Sequence, residues 1–152
     1  SLQSTQNTLP LRFVQQTLRI EAYLASGEPD LALETIRENL AKMERTGARY
    51  YEAELWRLQG EGLLQQEQPG DCVYGQAAAC FEQALAIARQ QGARLWELRA
   101  TVSLARLWAQ QGEAHRAYET LAPLYATFDE KFNVPDLVEA RGLLKELKTQ
   151  AY

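Results

Sequence analysis

The chain has 152 residues, a length typical of one domain with a sizeable hydrophobic core. Hydrophobic residues make up 46% and charged residues 24%, which excludes general disorder, and no apolar run approaches the ~18 residues of a membrane span. The formal net charge is −4, from 16 Lys and Arg against 20 Asp and Glu. We therefore expect neither nucleic-acid binding, which needs a broad basic face, nor membrane binding.

The two cysteines indicate a reduced protein without a metal. Cys72 and Cys80 are too few for a disulfide framework or a zinc site, and their spacing matches no metal-binding pattern. We expect free thiols, no metal site and no cofactor, with the cytoplasm as the simplest location. The sequence begins with neither a signal peptide nor an initiator Met, and we expect a fragment of a longer protein.

Composition predicts an all-α fold. Leu and Ala account for 45 residues, whereas the β-branched Val, Ile and Thr, which lose more side-chain freedom in a helix, account for 17. Glycines and prolines, which favour helix ends and first turns, separate the periodic segments. The predicted helices span residues 10–26, 29–46, 48–66, 73–91, 93–111, 113–128 and 135–149, after a frayed segment at residues 1–9.

The chain contains an internal repeat. Residues 47–52 (GARYYE) recur 45 positions later as residues 92–97 (GARLWE). The helices that follow share a small residue, a large residue four positions later and a third residue three positions after that, all on one face. This pattern occurs at Ala77, Phe81 and Ala84, at Ala117, Leu121 and Leu124, and at Ala32, Ile36 and Asn39. The spacing predicts three helical hairpins at about 10–47, 48–92 and 93–132, within a single domain of residues 10–150.

These repeats resemble the tetratricopeptide repeat family, whose units are pairs of antiparallel helices. The middle repeat matches the family pattern at Trp56, Gly60, Leu63, Ala77, Phe81 and Ala84. Residues 85–94, 96–108 and 134–140 are further similar to the C-terminal repeat region of large bacterial signalling ATPases, which join a cyclase or a DNA-binding module to an NTPase core. The resemblance implies a right-handed α-solenoid of three hairpins, in which the first helices line a groove.

No motif in the sequence predicts catalysis. There is neither a phosphate-binding G-x-x-x-x-G-K-[ST] loop nor a G-x-S-x-G nucleophile elbow. His115, the only histidine, is predicted to be a solvated surface residue, with weak pH sensing as the alternative. Nothing places carboxylate pairs such as Glu52 and Glu54 in a dry pocket. We expect no enzyme, and any ATPase or cyclase activity would lie in a parent protein outside this chain.

Polar stripes on the first helices are the candidate partner-binding site. One stripe consists of Glu54, Arg57, Glu61 and Gln65, and the other of Arg99, Ser103, Arg106 and Gln110. A protein or peptide of mixed charge could bind between such stripes. The alternative is that the stripes only pair with each other across adjacent hairpins. The candidate groove residues are Glu21, Glu54, Arg57, Glu61, Arg99 and Arg106.

The last helix is predicted to cap the solenoid. Leu137, Ala140, Leu144 and Leu147 give residues 135–149 one apolar face. The alternative is a docking helix, for a second protomer in a homodimer or for the rest of the parent protein. The function that we predict is a scaffolding or sensory interaction arm of a bacterial signalling ATPase or transcriptional regulator. A stand-alone adapter and a small-molecule or peptide sensor are the alternatives.

Overall fold

The fold is entirely helical in the part of the chain that the structure describes. This structure is a computed structural model that describes the backbone of residues 2–66 and 70–152 and the side chains of residues 11–66 and 70–152. Within these ranges there are seven α-helices and no strand, which confirms the predicted all-α class. The helices are α1 (Leu2–Ala25), α2 (Pro29–Thr46), α3 (Glu52–Gln65), α4 (Asp71–Gln91), α5 (Arg94–Gln110), α6 (Ala114–Ala126) and α7 (Pro135–Ala151).

None of these helices combines the length and the apolar character that a membrane crossing requires.

Two helix starts differ from the sequence prediction. α1 begins at Leu2, so most of the segment predicted to be frayed continues the helix. α3 begins at Glu52 instead of residue 48. Gly47 ends α2 with φ +70°, and the Arg49 guanidinium then bridges Glu44 at 3.1 Å and Glu52 at 3.0 Å. This bridge spans residues 48–51, which lie between α2 and α3.

The chain divides into two compact units, Ser1–Cys80 and Phe81–Tyr152. In the first unit, α1, α2 and α3 pack pairwise. Their shared core consists of Ile20, Ala32, Ile36, Met43, Leu55 and Leu58. In the second unit, α5, α6 and α7 pack pairwise.

The first two residues of each copy of the repeated pattern lie in the core. Ala77, Phe81 and Ala84 are fully buried, and so are the first two residues of both other copies. The third residue varies, since Leu124 is half-buried and Asn39 is buried. The Asn39 side-chain amide donates a hydrogen bond to the Thr35 carbonyl at 2.7 Å, which satisfies one of its buried donors.

Helix α5 is buried around most of its circumference. Ten of its 17 residues are buried, including Ser103, which the sequence analysis assigns to a polar stripe. A helix that is covered on several sides behaves as a core element. Its charged residues therefore project from a rigid support.

Helices α3 and α2 approach each other closely at Gly62. A Cβ atom at this position would lie 2.9 Å from Cδ2 and 3.2 Å from Cγ of Leu33, closer than ordinary van der Waals contact. At Gly142, an exposed residue inside α7, an added Cβ would meet open space. Substitution of each glycine by alanine therefore separates the effect of close packing at Gly62 from the effect of helix propensity at Gly142.

We expect Gly142→Ala to raise the free energy of unfolding by about 0.5–1 kcal/mol, because alanine is the better helix former. Gly62→Ala should give a clearly smaller gain or a loss, because its methyl group must displace the Leu33 side chain. Urea unfolding of both variants measures the difference. Equal gains would contradict the close approach of α3 to α2.

Candidate partner-binding site

Four of the six predicted groove residues meet in the first unit. Arg57 donates two hydrogen bonds to Glu54, from Nε to Oε2 at 3.0 Å and from Nη2 to Oε1 at 2.6 Å. Glu61 Oε1 lies 3.7 Å from Arg57 Nη1, one helical turn further along α3. Glu21 of α1 adds a negative charge that also acts on Arg57. The structure therefore places three carboxylates around one guanidinium.

Burial makes the contact between Glu54 and Arg57 a strong one. Glu54 is only 3% exposed. Burial by itself lowers the pKa of Arg57, but the hydrogen bonds and charge of Glu54, together with the charges of Glu61 and Glu21, raise that pKa overall. Arg57 therefore stays charged, and Glu54 acts as the group that fixes its orientation.

The two remaining groove residues form ion pairs between α5 and α7 in the second unit. Arg99 Nε donates to Asp136 Oδ1 at 2.9 Å, and Arg106 Nη2 lies 2.5 Å from Glu139 Oε1. These two contacts form a ladder along the seam between the helices, which we call the α5–α7 ladder. They are consistent with the alternative that the charged residues pair within the protein, although the acids come from α7.

The acidic half of the α5–α7 ladder was missed by sequence reasoning. Asp136 and Glu139 lie more than 30 residues from their arginines, and their three-residue spacing on α7 does not match the seven-residue spacing of Arg99 and Arg106. Only the packing of α7 against α5 brings the four side chains together. The one available signal was the acidic character of the first turn of α7.

The two rungs of the ladder differ in exposure. The side chains of Arg106 and Glu139 are 47% and 46% exposed, whereas those of Arg99 and Asp136 are 37% and 17% exposed. A half-exposed pair is screened by water and contributes only about 0–1 kcal/mol to stability. The outer rung, Arg106 and Glu139, can therefore exchange its partner at little cost.

The repeated sequence G-A-R-x-x-E has a structural role at the start of each first helix. Arg49 pairs with Glu52 at 3.0 Å, and Arg94 pairs with Glu97 at 2.9 Å. Glu97 also accepts a hydrogen bond from Arg89 Nε at 3.3 Å. A glutamate in the first helical turn is favoured by the helix dipole, and the preceding arginine balances its charge. Glu52 therefore serves the fold, which accounts for its place in the repeat.

The other candidate reactive groups are isolated from one another. His115 is exposed and lies edge-on to Tyr152, with ring centroids 5.3 Å apart. Cys72 is exposed, whereas Cys80 is buried and burial raises the pKa of its thiol. Among the residues that the structure describes, no three His, Cys, Asp or Glu side chains form a group that could hold a metal ion.

We expect Glu54→Gln to lower the free energy of unfolding by about 1–3 kcal/mol, because Arg57 loses the charged acceptor that offsets its burial. The double variant Glu54→Gln/Arg57→Gln should lower the free energy of unfolding by less than the sum of the two single effects. Urea unfolding gives all three values.

The matched control is Glu44→Gln, because Glu44 is an exposed acid that also pairs with an arginine, Arg49. Its effect on unfolding should be much smaller than that of Glu54→Gln. Additive effects at Glu54 and Arg57 would contradict the assignment of Glu54 as the residue that holds Arg57 in place.

Comparisons with known proteins identify no relative of this chain. A scan against protein-family models, a search of curated proteins and a search of solved structures each return no match to this chain. The resemblance to tetratricopeptide repeats therefore stays a prediction based on the residues of the chain itself.

Proposed function

We propose that this chain is a non-catalytic protein-interaction module. Its place would be the cytoplasmic C-terminal arm of a bacterial signalling ATPase or transcriptional regulator, with three hairpins in a right-handed α-solenoid and α7 as the cap. Support comes from the packing of α1 on α2 and of α5 on α6, and from the buried repeat pattern. The buried face of α7 at Leu137, Ala140, Leu143 and Leu147 supports the capping role.

The observation that carries this proposal is the outer rung of the α5–α7 ladder. Arg106 projects from a helix of which ten of 17 residues are buried, and among the described side chains it pairs with the half-exposed Glu139. A rigid support with exchangeable charges is suited to partner recognition, because such charges steer association and set specificity at little cost to the fold. A carboxylate on a bound protein or peptide would replace Glu139 at Arg106.

The groove residues of the first unit would have a different role. Glu54 is buried and positions Arg57, so it would act on a partner only through Arg57. Glu61 and Glu21 are half-buried. We infer that these two acids and Arg57 are the groups of this unit that a partner of mixed charge meets.

The acidic partners of Arg99 and Arg106 in the α5–α7 ladder decide which substitution is suitable as a test of the proposal. Reversal of both arginines, Arg99→Glu with Arg106→Glu, is expected from the sequence to weaken partner binding and to leave thermal unfolding nearly unchanged. In the structure these substitutions would place carboxylates against Asp136 and Glu139, so they would also loosen α7. The neutral substitution Arg106→Gln avoids this repulsion.

The test uses 16-residue peptides selected from a random display library on the immobilised protein. We expect Arg106→Gln to weaken the best-binding peptide at least about fivefold, equivalent to ~1 kcal/mol. Its free energy of unfolding should change by no more than ~1 kcal/mol, because the pair is half-exposed. Fluorescence anisotropy measures binding, and urea unfolding measures stability.

The control is Arg45→Gln, which removes an exposed arginine outside the candidate set. It should leave the affinity of the same peptide unchanged. If Arg106→Gln and Arg45→Gln have the same effect, the α5–α7 ladder has no part in binding and the proposed function loses its main support.

A further inference from the structure

Helix α5 meets solvent mainly along one narrow strip. Leu95, Trp96, Arg99, Arg106 and Gln110 are exposed or half-buried, whereas most of the other residues of the helix are buried. Successive helix residues are separated by about 100°, so these five side chains fall within an arc of about 100°. They therefore share one face of the helix, and we call them the α5 strip.

The α5 strip begins at an apolar depression. This shallow, open depression of about 420 Å³ is lined by residues 92–96. Leu95, which is 43% exposed, and the half-buried Trp96 supply its large apolar side chains. Arg94, the charged member of the lining, is held by Glu97 at 2.9 Å and by a hydrogen bond to the Thr127 hydroxyl. Among the described residues that line the depression there is no carboxylate, so it offers apolar contact to an uncharged side chain.

The arginine that solvent reaches best lies further along the same strip. The side chain of Arg106 is 47% exposed, against 37% for Arg99. An α-helix rises about 1.5 Å per residue, so the distance along the axis from Leu95 or Trp96 to Arg106 is about 15–17 Å. An extended peptide covers that distance in about five residues. One short segment can therefore contact both the depression and Arg106.

The neighbouring helix favours an extended segment over a helical one. Helix α7 borders the α5 strip, because its Asp136 and Glu139 reach Arg99 and Arg106. An extended segment occupies a width of about 5 Å beside its neighbour. A helix with its side chains is about 10 Å across. The narrow strip beside α7 is therefore better matched by the extended segment.

The exchange at Arg106 specifies the charge of the segment. Glu139 is 46% exposed, so its carboxylate can turn to solvent when another carboxylate takes its place. Arg99 keeps the better buried Asp136, which is 17% exposed. A guanidinium binds carboxylates in a fixed, often bidentate geometry. The segment therefore carries an acid at the place that faces Arg106.

The equivalent positions of the first unit lack this combination. The 45-residue repeat offset maps Arg99 to Glu54 and Arg106 to Glu61. Glu54 is buried, Glu61 is half-buried, and both pair with Arg57. Carboxylates therefore lie where the second unit has arginines, and an acidic segment is directed to the second unit.

We propose that the α5 strip binds an extended segment of another protein in which a bulky apolar residue and an acid are about five residues apart. The apolar side chain packs on Leu95 and Trp96, and the acid binds Arg106 in place of Glu139. This inference rests on the proposed function, because it uses the same exchange at Arg106, and it names the kind of partner. Apolar contact supplies the affinity, and the charge sets the register.

The test starts from the 16-residue library peptide that binds the unsubstituted chain best. An alanine scan should find one bulky apolar residue and one acid, four to six positions apart, whose replacement weakens binding at least about fivefold. Insertion of Gly-Ser-Gly between them should weaken binding as much, because three extended residues add about 10 Å. A scan without an apolar determinant, or with a separation of ten or eleven residues as in a helix, would overturn the inference.

Double-mutant cycles assign each contact. Leu95→Gln should weaken the parent peptide at least about fivefold, and it should have little further effect once the apolar residue of the peptide is alanine. Arg106→Gln should be coupled in the same way to the acid of the peptide, and the crosswise pairs should be additive. The matched control is Leu31→Gln on α2, which changes a leucine that is also 43% exposed and should leave the affinity unchanged.

The outcomes separate this inference from the proposed function. Because Leu95 and Leu31 are exposed, thermal unfolding of both variants should match the unsubstituted chain, and the peptide substitutions leave the protein intact in any case. A peptide that depends on Arg106 but not on Leu95 would overturn this inference and leave the proposed function standing. Binding that does not depend on Arg106, or a library that yields no binding peptide, would overturn both.

Discussion

The packing of this chain depends on small residues that are fully buried beside large ones. Ala32, Ala77 and Ala117 are fully buried on α2, α4 and α6, and each is followed four residues later by a fully buried large side chain. An alanine leaves room for a neighbouring group, and the large residue fills the space beside it. The charged residues then project from closely packed helices.

Signals that lie within one helical turn predicted the all-helical class, whereas contacts between distant segments left no such signal. The glycines of the repeat, Gly47 and Gly92, adopt φ values of +70° and +66° at helix ends, a conformation for which glycine is favoured. The later start of α3 at Glu52 was missed, and the segment before it is spanned by the bridge from Arg49 to Glu44 and Glu52. Helical periodicity shows which side chains share a face, but it does not show whether another helix covers that face.

The same limit explains the outcome for the candidate site. Glu54 appears on a polar stripe in the sequence, yet it is buried, and its partner Arg57 three residues later is the local sign that such burial is tolerable. Arg99 and Arg106 were identified from the polar stripe that they share on one face of α5. Their partners on α7 depend on the packing of two helices that are far apart in sequence, so no local pattern could reveal the α5–α7 ladder.

The ion pairs of the chain fall into two groups with different consequences. A buried pair such as Glu54 and Arg57 is costly to separate, because either charge would then lie without compensation, and it therefore fixes local geometry. A half-exposed pair such as Arg106 and Glu139 adds little stability and is open to exchange.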